Sequence, residues 1–188
     1  MIGAAAGLQA AWKLARGQAS GLQRFEAADN DMAAAARSFW AAALCLPAFV
    51  CLHVLDWVQS GIPAQPAHGF LMDLLGYVVG WAGFALISRA LAATLHRAPH
   101  WPRFIVAWNW CNVLQYLMLV VAALPGVLGA PDWLSETIWL VAMGWALWLE
   151  WFTTKLALDI PGPQAAGLVA MDVALGLFLV GLTAMVAP

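Results

Sequence analysis

Apolar residues fill five long stretches of this chain, at 38–58, 69–95, 104–124, 136–156 and 164–186, joined by short connections rich in Pro, Gly and polar residues. An α-helix needs about 20 predominantly apolar residues to cross a bilayer, and each stretch has that length. The pattern predicts an all-α polytopic membrane protein with five transmembrane helices. Residues 1–37 carry a different pattern. Ile2, Leu8, Trp12 and Ala15 or Ala11 recur at near-helical spacing, with Lys13 and Arg16 beside them. This predicts an amphipathic helix over residues 4–17 lying in the membrane interface, with Trp12, Lys13 and Arg16 as its surface contacts. Gly17 and Gly21 end it, and residues 27–37 lead helically into the first span. The chain thus divides into an N-terminal segment, 1–37, and a five-helix transmembrane domain, 38–187.

The third span is the least lipid-like. It opens FIVAWNWCNVLQY and carries Asn109, Asn112 and Gln115. In a helix Asn109, Asn112 and Tyr116 fall within one narrow arc, with Gln115 at its edge. Amides in hydrocarbon find no water, so this helix is expected to face protein. Pro47 is expected to kink the first span. In the second, Gly76 and Gly80 have the small-xxx-small spacing that lets helices approach closely. No internal repeat is visible, so an inverted-repeat carrier is not suggested.

Composition agrees with the pattern: 64 % of the 188 residues are hydrophobic and only 10 % charged, against about 25 % charged in soluble domains. With five spans, all eight Lys and Arg residues fall on or near one side. The other side has Asp56, Asp73, Asp132 and Glu136. Positive residues mark the cytoplasmic face, giving an N-terminus inside and a C-terminus outside, periplasmic if the membrane is a bacterial inner membrane. Residues 1–37 lack the long apolar core of a secretory signal. No basic run suggests nucleic acid.

That orientation brings Arg89, Asn109, Asn112, Gln115, Glu150 and Asp172 to the cytoplasmic half of the membrane. Ionisable groups at such depth are costly and are expected to pair; Arg89 with Glu150 or Asp172 is the expected pair. Asp172→Leu or Glu150→Leu is then expected to strand Arg89. The layer reads either as a clasp fixing helix register or as a proton or solute site. His53, Asp56 and Asp73 form a smaller set near the outer face. A metal site needs more ligands than these, and His53 alone does not make a haem site. Cys45, Cys51 and Cys111 match no metal motif and read as buried thiols. Neither metal nor cofactor is expected. No nucleotide-binding loop, nucleophile elbow or zinc-protease motif occurs, so no catalytic residue is assigned and an enzyme is not expected.

Several features come in a familiar order: Phe25, Arg37-Ser-Phe-Trp40 entering a span with Pro47, Trp81 and Arg89 in the second span, residues 104–115 leading to Pro125, and Trp151-Phe152 closing the fourth before a short turn. Over residues 22–187 this order resembles the Yip family of small five-span membrane proteins, and more closely its bacterial relatives. The resemblance implies non-enzymatic membrane organisation. The eukaryotic members associate with small GTPases, but their N-terminal extension is longer than residues 1–37, so those partners are not expected here. The Ala- and Gly-rich composition resembles that of a high-GC bacterium.

Two functions follow as expectations. One is a non-enzymatic scaffold or accessory subunit that packs against a larger membrane-protein complex, forms a homo-oligomer or organises lipid. The small-residue faces and twelve tryptophans motivate it. The other is a small-solute or proton transporter or channel built on the polar layer. A water-accessible cavity reaching that layer favours the second, a dry clasp the first.

Overall fold

The computed structural model describes residues 3–186, which are helical with short connections and contain no strand. Ile2 and residue 187 lie outside the described residues. The helices are α1 (Ala4–Ala15), α2 (Met32–Ser38), α3 (Trp40–Ser60), α4 (Pro66–Thr94), α5 (Trp101–Val127), α6 (Asp132–Leu158) and α7 (Gly162–Val186). Short 3-10 helices at Ala19–Arg24 and Glu26–Ala28 join α1 to α2, and another at Ala98–His100 leads into α5.

Four helical stretches are long and apolar enough to cross a membrane: Met32–Ser60, Pro66–Thr94, Ala98–Val127 and Gly162–Thr183. α6 matches them in length. Trp133, Trp139, Trp145, Trp148 and Trp151, together with Glu150, Thr153 and Thr154, make it less apolar than its neighbours.

Helix ends follow local chemistry. Pro102 sits in the first turn of α5, where a missing N–H costs nothing. Asp31 caps α2 by accepting from the Ala34 N–H at 2.9 Å. Asp159 takes the left-handed conformation, φ 53°, that closes α6. The observed helices are longer than the apolar stretches because polar end residues still fit their first and last turns. α5 runs through Pro125 rather than stopping there, since its final turn tolerates a lost hydrogen bond. α3 likewise runs through Pro47 as one helix.

α5 is the centre of the bundle. Every residue from Trp101 to Cys111 is buried. α6 and α3 pack along α5, while α1 and α2 pack on its N-terminal half. A helix buried all round needs neighbours on every side, and the N-terminal segment supplies the missing ones. α1 turns Gly7, Ala10, Ala11, Leu14 and Ala15 inward. Gly7 is needed there, because a Cβ at that position would stand 2.5 Å from the Trp110 ring. The face expected to meet lipid differs: Leu8 is half-buried against the core, while Trp12, Lys13 and Arg16 are exposed.

α4 packs chiefly on α7. Cβ atoms at Gly80 and Gly83 would reach Leu179 and Leu175 of α7 at 3.5 and 3.4 Å, so the glycine row lets these two helices lie close. α7 packs on α6 as well, so α4-α7 forms a leaf joined to α3-α5-α6 through α6, with a seam left between α3-α5 and α4-α7.

Candidate functional site

The seam holds a cavity of about 400 Å³, within the size range of small-ligand pockets. α3 contributes Phe49 and His53; α4, Asp73, Tyr77 and Trp81; α5, Trp108, Asn112 and Tyr116; and α7, Asp172 and Gly176. Within each helix these residues are spaced by four, which puts them on one face. Gly76 and Gly80 keep the α4 wall low beside them.

Aromatic rings line much of this wall in contact with one another. Phe49 and Tyr77 lie 4.8 Å apart between centroids, Tyr77 and Tyr116 6.0 Å, Tyr77 and Trp81 5.8 Å, and Trp81 and Trp108 5.1 Å. Such tilted and edge-on pairs are the favoured geometry for rings. Tyr77 also ties the two leaves together, donating to the Ala42 carbonyl of α3 at 2.7 Å.

At one end of the cavity His53 meets Asp73. Its Nδ1 is 3.0 Å from the Phe49 carbonyl, which only accepts, so Nδ1 carries a hydrogen. Nε2 is 3.1 Å from Asp73 Oδ2. Whichever group carries it, one hydrogen lies between Nε2 and the carboxyl, and the contact joins α3 to α4.

Deeper in, Asp172 lies on the wall and Glu150 is its neighbour. Glu150 is 7 % exposed, and its carboxyl interacts with the Asp172 carboxyl and the indole N–H of Trp108, itself 5 % exposed. This places a buried acid and an indole donor directly behind the cavity wall.

The polar layer expected from the sequence separates into distinct jobs. Asn112 lines the cavity, its Nδ2 donating to the Trp108 carbonyl of its own helix at 3.0 Å. Asn109 points elsewhere, donating to Ser38 Oγ at 2.6 Å and joining α5 to α2. Gln115 donates to the Ala146 carbonyl of α6 at 2.8 Å. These two are interhelical ties. Arg89 departs from expectation. It is exposed, with its guanidinium 5.7 Å from the Trp101 ring centroid, and it pairs with neither Glu150 nor Asp172. The reason is the rotation of α4, which turns Phe84, Ala85 and Ser88 inward and Arg89 out.

The outer set also divides. His53 and Asp73 are paired, but Asp56 accepts from Ser60 at 3.3 Å and faces a separate cavity of about 340 Å³ with Gln59 and Glu136. Among the described residues no three His, Cys, Asp or Glu side chains are grouped to hold a metal ion.

One site was not anticipated. Arg103 is 8 % exposed and donates from Nε and a terminal nitrogen to the Ala157 carbonyl at 2.9 and 2.7 Å, and to Asp29 at 3.2 Å. His100 contacts the same Asp29 carboxyl at 3.3 Å. The only sequence signal was an Arg beside Pro102 at the mouth of an apolar run, which reads equally well as a headgroup contact.

The fold and cavity together describe an all-helical chain with four helices fit to cross a membrane and a cleft lined by aromatic rings and a few polar side chains. Compared with known proteins, the chain matches no family model, no curated protein and no solved structure.

Proposed function

We propose that this is an integral membrane protein that carries a small solute or protons through the seam cavity. The observation behind this reading is that His53, Asp73, Asn112 and Asp172, from four helices, share one cavity wall. A clasp would bury these groups against a cation, and the one basic residue expected to serve, Arg89, faces away. The reading takes α6 as a fifth span, since it lies between α5 and α7 and matches them in length. It places the N-terminus in the cytoplasm of a bacterial cell, with Trp12, Lys13 and Arg16 at the membrane surface. It assigns no catalytic residue and no cofactor.

The test is reconstitution into liposomes with a trapped pH indicator and an imposed proton gradient. Wild-type protein is expected to dissipate the gradient faster than empty liposomes, and Asp172→Asn to lose most of the difference. Wild-type vesicles as tight as empty ones would remove proton flux from the reading.

A second reading, a scaffold or accessory subunit, has its own support. Cβ atoms at Gly144 of α6 and at Gly167 and Gly181 of α7 would meet nothing within 4 Å, so these helices offer close approach to a neighbouring helix. The Yip-like order of features leans the same way. Isolation in mild detergent followed by mass spectrometry tests it: a stoichiometric membrane-protein partner supports an accessory role, and a lone species argues against one.

A further inference from the structure

The seam cavity has a consistent chemistry. Its walls carry two acidic side chains, Asp73 and Asp172, at separate positions, and Glu150 stands behind the second. Among the described residues no Lys or Arg lines it. Between the acids lie the faces and edges of Tyr77, Trp81, Trp108 and Tyr116. An anion entering here meets carboxyls and no counter-charge. A neutral solute leaves the carboxyls without compensation. A cation satisfies both wall types: its charge offsets a carboxylate in a low-dielectric setting, and its apolar groups lie against rings whose faces attract positive charge.

We propose that the seam cavity binds a compact organic cation, an alkyl- or arylammonium, held between the Asp172 carboxyl and the Trp81–Trp108–Tyr116 rings. This rests on the transport reading above and names its substrate class. An ammonium also occurs in lipid headgroups, but there it comes with a phosphate. The cavity has nothing basic for that phosphate except His53, which Asp73 already occupies.

The test is equilibrium binding to the purified full-length protein in detergent, followed by tryptophan fluorescence and calorimetry. The probes are benzyltrimethylammonium, its anionic counterpart phenylmethanesulfonate, and phosphocholine. The cation is expected to bind at least about tenfold more tightly than either of the others. Asp172→Asn is expected to weaken it about tenfold or more while keeping the wild-type circular dichroism. If that variant does not fold, Asp73→Asn takes its place, and the cation-over-anion order of the wild-type protein is decisive on its own. Equal or tighter binding of the sulfonate, no cation binding, or undiminished binding by a folded Asp172→Asn protein would overturn the proposal. Tighter phosphocholine binding would assign the cavity to a headgroup instead. Proton flux in liposomes without cation binding leaves the transport reading standing and removes the substrate class; cation binding without flux does the reverse.

Discussion

Arg103 and Asp29 are 74 residues apart and meet at 3.2 Å, with two further donors of the same guanidinium on the carbonyl of Ala157. One side chain thereby fastens the N-terminal segment to the start of α5 and the end of α6. The guanidinium also lies where the α6 dipole leaves negative charge and unpaired carbonyls. Arg103→Ala would leave the Ala157 carbonyl without its side-chain donors and Asp29 with His100 alone, at a cost of about 3 kcal/mol. Thermal denaturation in detergent is expected to show a clear drop for Arg103→Ala. The exposed Arg37–Asp31 contact, 3.6 Å with side chains 50 % and 43 % exposed, provides the contrast. Arg37→Ala is expected to shift stability by about 0.5 kcal/mol or less.

Gly7 admits the Trp110 ring. Gly7→Leu is expected to dislodge α1, because both Cβ and the side chain beyond it would occupy the space of the indole. Limited proteolysis should then cleave residues 4–15 faster than in the wild-type protein. Gly3→Leu, where a Cβ would meet nothing within 4 Å, should leave the cleavage pattern unchanged.

Arg89 offers a discriminating substitution. With its guanidinium over Trp101 and no carboxylate partner, Arg89→Ala should cost no more than about 1 kcal/mol, the scale of an exposed cation–π contact. A loss several times larger would reinstate a pairing with Glu150 or Asp172.

His53 and Asp73 join α3 to α4 across the mouth of the cavity, as Tyr77 joins them further in. A double-mutant cycle on His53→Ala and Asp73→Ala is expected to give a coupling of about 1 kcal/mol, as residues in direct contact do. Tyr77→Phe, which removes only the hydroxyl bonded to Ala42, should cost about 1 kcal/mol. Additive effects of the two alanine substitutions would mean that the pair does not hold the leaves together.

Much of this architecture is legible in the residues themselves. Three amides in an apolar run announce that α5 faces protein, and Trp101 to Cys111 are buried without a gap. Gly76 and Gly80 announce a close helix contact, which α7 supplies. What hydropathy cannot convey is rotation about a helix axis. Arg89 and Glu150 share a depth in the sequence reading, yet a small turn of α4 puts Arg89 outside. For the same reason His53 and Asp73 face one cavity and Asp56 another. The Arg103 latch is harder still, because its partners lie in the turn after a 3-10 segment and at a helix end, whose positions only the tertiary packing fixes.

The latch also sets an order of events. Asp29 is synthesised long before Arg103, and Ala157 later still. The segment that leaves the ribosome first can therefore lock only after most of the chain has followed it. Until then Asp29 lacks its partner and the small-residue face of α1 has no helix to cover. Long-range closure of this kind is slow relative to helix formation. A chain arrested before α5 is expected to leave that segment uncovered, whereas one arrested before the end of α6 holds it on α5 and through Asp29 but lacks the Ala157 carbonyl that anchors the guanidinium.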